Sequence, residues 1–112
     1  MAITETMKAA ILDGPKLPFR VASIARPRPG QGQVLVRIKA SGINPLDTKI
    51  RAGEGAHARQ PLPNILGINL TGVVDALGDG VTGFRSGDEV YGMTGGVGGV
   101  PGSLAQYAAV VP

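Results

Sequence analysis

Glycine and proline interrupt this chain so often that no long element can form. There are 18 Gly and 9 Pro among 112 residues, close to a quarter of the sequence and about twice the ordinary share. Proline removes a backbone donor and fixes φ, while glycine opens backbone conformations closed to other residues. The apolar share of 43 % is too high for a disordered chain. The excess therefore predicts turns between short strands. The length allows one core and at most one domain.

The chain divides accordingly. Met7 to Leu12 is a short apolar run ended by Asp13-Gly14-Pro15, a strand and then a turn. Phe19 to Ala25 alternates weakly and stops at Pro27-Arg28-Pro29-Gly30. Gln33 to Ser41 alternates clearly, with Val34, Val36, Ile38 and Ala40 on one face, which predicts a half-buried strand. A helix of two to three turns is predicted from Asn44 to Gly53. Asn44 suits the N-cap, Pro45 the first helical position and Asp47 the positive end of the helix dipole. Leu46 and Ile50 make its apolar stripe. Glu54 to Pro63 reads as a polar loop carrying the single histidine, His57. Asn69 to Leu77 reads as a buried strand, Glu89 to Tyr91 as a short one and Leu104 to Val111 as the last. Six of the eleven residues from Gly92 to Gly102 are glycine, which reads as a mobile loop. A mostly β domain follows, a partly open barrel or sandwich with one or two short helices.

Several functions are excluded on composition. Without cysteine there is neither a disulfide nor a thiolate zinc site. No apolar run approaches the roughly 18 residues of a membrane span, and the N-terminus lacks the apolar core of a secretory signal. A cytoplasmic protein without a membrane role is the expectation. Residues 1–60 hold ten Lys/Arg against four Asp/Glu, and residues 61–112 hold one against four. A basic half suits an anionic partner, but the cations are scattered singly. Two Phe, two Tyr and no Trp offer few surfaces for stacking bases. No nucleic-acid partner is expected.

The segment Gly95-Gly96-Val97-Gly98-Gly99-Val100-Pro101-Gly102 is not a phosphate cradle. Pro101 stands where the last glycine of a G-x-G-x-x-G run starting at Gly96 belongs, and no helix follows. No Rossmann unit is contained in these residues.

Motifs spread along the chain carry a resemblance. Gly67-Ile68-Asn69-Leu70-Thr71-Gly72-Val73-Val74 is followed by Gly78, Val81, Phe84 and Gly87-Asp88-Glu89-Val90-Tyr91-Gly92. Upstream stand Met7-Lys8-Ala9-Ala10, then Ala40-Ser41-Gly42-Ile43-Asn44-Pro45-Leu46-Asp47 and Ile50-Arg51-Ala52-Gly53. Together they resemble the N-terminal, GroES-like catalytic domain of the medium-chain dehydrogenase/reductase superfamily. In the zinc enzymes of that superfamily a cysteine ligand ends the A-x-G-[IV]-C segment and a histidine ligand stands in G-H-E-x-x-G. Here those positions are Asn44 and Ile68. An alkyl side chain cannot coordinate zinc, and an amide is a poor ligand beside thiolate or imidazole. The resemblance therefore points to the zinc-independent branch, which is similar to quinone oxidoreductases that reduce quinones or activated alkenes with NADPH. A quinone, enone or carbonyl compound is the implied small-molecule substrate.

The same resemblance implies the site residues. Asn44 is expected near the nicotinamide end of the cleft with Pro45 beside it, its amide donating to a substrate carbonyl or to the cofactor's carboxamide. Helix capping alone would equally explain it. Lys49 stands where many quinone reductases have tyrosine. It is expected either to reach a cofactor phosphate or developing enolate, or to be a solvated helix lysine. Asn69 stands where many relatives have aspartate and is expected in the cleft wall, with the cofactor. His57 is expected to be a loop residue only. Residues 1–112 then form an incomplete GroES-like domain without the Rossmann domain that holds most of the cofactor. Such a chain is expected to be inactive alone and to expose apolar surface, inviting homo-oligomers. Two alternatives remain: the same domain in a zinc-type alcohol dehydrogenase relative or an enoyl reductase, and a non-enzymatic barrel-type binding module.

Overall fold

The computed structural model describes residues 5–42, 45–52, 64–93 and 102–112. Within them run β1 (Thr6–Leu12), β2 (Arg20–Ala25), β3 (Val34–Ser41), α1 (Pro45–Ala52), β4 (Asn64–Ile65), β5 (Asn69–Leu77), β6 (Glu89–Met93) and β7 (Tyr107–Val110). The strands form two antiparallel sheets, β2-β1-β4 and β6-β5-β3-β7. Most predicted elements stand where the turn residues put them. The expected helix is present as α1; its Asn44 and Gly53 ends lie outside the described residues, as do His57 and the Glu54–Pro63 loop.

The two sheets are joined by residues 104–107. Ala10 N donates to Leu104 O at 2.8 Å and Gln106 N to Lys8 O at 3.1 Å on one side, while Ile38 N donates to Gln106 O at 2.8 Å on the other. This segment explains why the last strand is shorter than the predicted Leu104–Val111. Its first three residues bridge towards β1, with Ala105 paired to Ala9, before β7 settles against β3. The result is an open barrel with its edges at β2 and β6.

Each sheet has its own apolar cluster. Val34, Val36, Leu70, Val74 and Ala108 fill one, with Phe84 and Val90 packed against them. Met7, Ala9, Ile11 and Ile65 fill the other, with Ile24, Leu104 and Tyr107. Burying side chains such as Leu12 and Leu66 completely stabilises by about 1.5–3 kcal/mol each. The alternation along β3 is less regular than its sequence predicts. Leu35 is buried as well as Val34 and Val36, and Ala40 is exposed. Register shifts at Leu35/Val36 and Ile38/Ala40 account for this, since each inserts an irregularity into the pairing with β5. β4 is two residues long and leaves no periodic trace in a sequence. Of the expected mobile loop at 92–102, Gly92 and Met93 belong to β6 and Gly102 is held by a bond to Ile65 O, while 94–101 lie outside the described residues.

Candidate functional site

The two motifs that carry the resemblance meet where the end of β3 crosses the start of β5. Asn69, the first residue of β5, is half-buried. Its backbone carbonyl accepts from Gly42 N at 3.2 Å and from Ser103 Oγ at 2.9 Å. Residue 42 packs tightly here. A Cβ on it would lie 3.3 Å from Asn69 Cβ and 3.6 Å from Asn69 Nδ2. Gly42 thus lies directly over the Asn69 side chain.

Ser103 is the centre of this junction and is 1 % exposed. Its hydroxyl hydrogen is committed to Asn69 O, so in the 2.6 Å contact with Ser41 Oγ the Ser41 hydroxyl is the donor. Its backbone N donates to Gly67 O at 3.1 Å, beside Leu104 N to Leu66 O at 3.0 Å and Gly102 N to Ile65 O at 2.8 Å. Gly67 has φ +105°, and a Cβ there would strike Ser103 Oγ. Gly102 is equally constrained, because a Cβ would strike the carbonyl oxygens of Leu66 and Gly67. The opening glycine of the Gly67–Gly72 motif is therefore set by contact with the segment after the glycine loop. Sequence reasoning missed the contact between Ser41, at the end of β3, and Ser103, since a hydroxyl bond between distant segments has no periodic signature.

Helix α1 carries the remaining candidates. Pro45 is its first residue and Lys49 is exposed on it. Lys49 and Arg51 lie in its last turn, where cations suit the negative end of the helix dipole. No hydrogen bond or ion pair among the described residues joins Lys49 to Asn69. Arg51 anchors the helix instead. Its Nη2 donates to Leu17 O at 3.1 Å and Lys16 O at 3.5 Å, and its carbonyl accepts from Lys16 N at 2.7 Å. The guanidinium lies 5.8 Å from the Phe19 ring centroid. The structure thus brings Asn69 beside Gly42, two residues before Asn44. Asn44 itself lies outside the described residues.

Position 68 bears on the metal chemistry of the site. Ile68 is 5 % exposed and offers no lone pair, so the residue at this point does not fit a zinc ligand. Among the described residues no group of three or more His, Cys, Asp or Glu is placed to hold a metal ion.

Residues 30–112 match the alcohol dehydrogenase GroES-like domain. The chain belongs to that family, within the medium-chain dehydrogenase/reductase superfamily. It is 35 % identical over 113 residues to a quinone oxidoreductase of Sus scrofa, covering 96 % of this chain and 32 % of the relative. It is 40 % identical over 93 residues to a 2-methylene-furan-3-one reductase of Solanum lycopersicum, covering 80 % and 24 % respectively. Among solved structures, an alcohol dehydrogenase superfamily protein from Novosphingobium aromaticivorans superposes with a TM-score of 0.91 at 58 % identity, covering 95 % of this chain and 32 % of that one. The GroES-like domain here thus spans about a third of the length of the curated relatives it matches. Its homologues are oxidoreductases.

Proposed function

We propose that this chain is the substrate-side domain of a zinc-independent, NADPH-dependent oxidoreductase that reduces quinones, activated alkenes or carbonyls. The observation that carries the reading is Ile68, a buried alkyl side chain inside the Gly67–Gly72 motif where the zinc branch has its histidine. Likeness to a quinone oxidoreductase and to a furanone reductase supports the substrate class. NADPH, held mostly by a nucleotide-binding domain outside these 112 residues, supplies the hydride. The chain's own residues position and polarise. The Asn44 amide donates to the substrate carbonyl, and Pro45 starts the helix that follows it. Asn69 lines the cofactor side of the wall, held by the bonds from Gly42 and Ser103 to its carbonyl. Lys49 donates the proton that completes reduction once the substrate carries the negative charge. A cytoplasmic location, small-molecule partners only and a homo-oligomeric assembly complete the proposal. No helix among the described residues is long and apolar enough to cross a membrane.

Two measurements test this. The 112-residue chain alone should not oxidise NADPH with a quinone; turnover by it would overturn the reading as one part of a larger site. The longer polypeptide carrying this domain should keep its quinone reductase activity after exhaustive chelation. Loss of activity on chelation, restored by zinc, would return the domain to the metal-dependent branch.

A further inference from the structure

Beside the Asn69 junction, between α1 and the loop after β1, lies a cavity of about 380 Å³. Phe19, Leu66 and Leu104 supply apolar walls, Gly42 and Gly67 expose backbone, and Thr48 and Arg51 line it from the helix. That volume suits a small ring compound. Flat walls without side chains at 42 and 67, with an aromatic ring at 19, favour a planar guest.

Arg51 gives the guest a charge. Its guanidinium is held in place by the carbonyl oxygens of Lys16 and Leu17, both reached through Nη2. The salt bridges among the described residues are Arg20–Asp13 and Arg26–Glu5; none of them uses Arg51. A guanidinium fixed through Nη2 by neutral carbonyls at the edge of an apolar cavity keeps its Nε and Nη1 donors for one charge-assisted contact with a carboxylate. It pays little additional entropy for the contact. The loop that fixes it is itself specialised, because Lys16 holds φ +62°, the one left-handed non-glycine residue among those described.

We propose that this cavity binds a planar, apolar carboxylate, with the ring against Phe19, Leu66 and Leu104 and the carboxylate on Arg51. The inference stands on the cavity alone and holds whether or not the proposed reduction is the protein's reaction. The test is a nuclear magnetic resonance titration of the 112-residue chain with 2-naphthoate and, separately, with its neutral counterpart 2-naphthalenemethanol. Saturable shifts are expected at the Gly42, Gly67 and Leu104 amides. The acid should bind about tenfold more tightly than the alcohol, as one charge-assisted contact allows. Added salt should narrow the gap, and Arg51→Gln should reduce the acid to the alcohol's affinity. Equal binding of acid and alcohol, shifts confined to other residues, or unchanged acid affinity in Arg51→Gln would each overturn the proposal. Should Arg51→Gln fail to fold, the ratio in the unaltered chain and its salt dependence decide alone.

Discussion

Two ends of the larger sheet differ in kind. At the junction of Ser41, Gly42, Asn69 and Ser103, backbone meets backbone so closely that glycine is the residue that fits at 67 and 102. The buried hydroxyl of Ser103 is fully partnered there. At the β6 edge, Tyr91 is 89 % and Met93 78 % exposed. Beneath them lies an apolar hollow of about 380 Å³ walled by Val90, Val110 and Val111. The edge strand also has no neighbour on its outer side among the described residues. Where two motifs must hold a fixed geometry, the chain excludes freedom. Where it presents a strand edge, it leaves large apolar groups in water, which invites association.

The comparison breaks first at the junction. Gly102→Ala should cost about 3 kcal/mol or more, because both obstructing atoms are backbone oxygens that cannot swing aside. Urea unfolding measures it, and a cost below about 1 kcal/mol would mean that the two segments part easily. Next, Ser103→Ala should cost about 1–3 kcal/mol by stripping Asn69 O of one donor and Ser41 of its acceptor. Amide exchange at Gly42 should rise with it.

At the edge the expectation reverses. Replacing Tyr91 and Met93 together by threonine should change stability by no more than about 0.5 kcal/mol. Sedimentation should show less self-association, and unchanged association would remove the edge from the argument. The smallest effect is expected at the β1–β2 hairpin. Arg20 donates to both carboxylate oxygens of Asp13 at 2.9 Å. This bond, more than the charge beside it, holds the Asp13 carboxyl below its usual 3.8. A depressed carboxylate stabilises above its unfolded value and loses that contribution as pH falls through its folded one. Asp13→Asn should therefore lower stability slightly at neutrality, as befits an exposed pair, and the difference from the unaltered chain should vanish as pH falls below 3.8, read by urea unfolding across that range.

Turn residues made most of the fold legible. Asp13-Gly14-Pro15 and Pro27 to Gly30 bound β2, and alternation marks β3, because sheet burial has a period of two. What stayed hidden depends on contacts between distant segments. The bulges in β3 arise from pairing with β5, and the shortening of β7 from residues 104–106 bonding to β1. Of the candidate site, Asn69 and the Gly42 segment do lie together, and family motifs pointed at both. Ser103 did not show, because its importance lies in burial and in the Gly67 opposite it. Arg51 stood within a quoted motif, yet its anchoring of Lys16 and Leu17 depends on a loop 34 residues earlier.

The bridge at residues 104–107 sets an order of events. Lys8 N donates to Gln106 Oε1 across 98 residues of sequence, and Val34 pairs with Val110. During synthesis, β1 and β3 are complete long before their shared neighbour exists. Contacts of such separation make folding slow, roughly milliseconds to seconds for all-β topologies. This domain can close only after nearly all of its sequence has been made, and until then two strands stand with a flank unfilled.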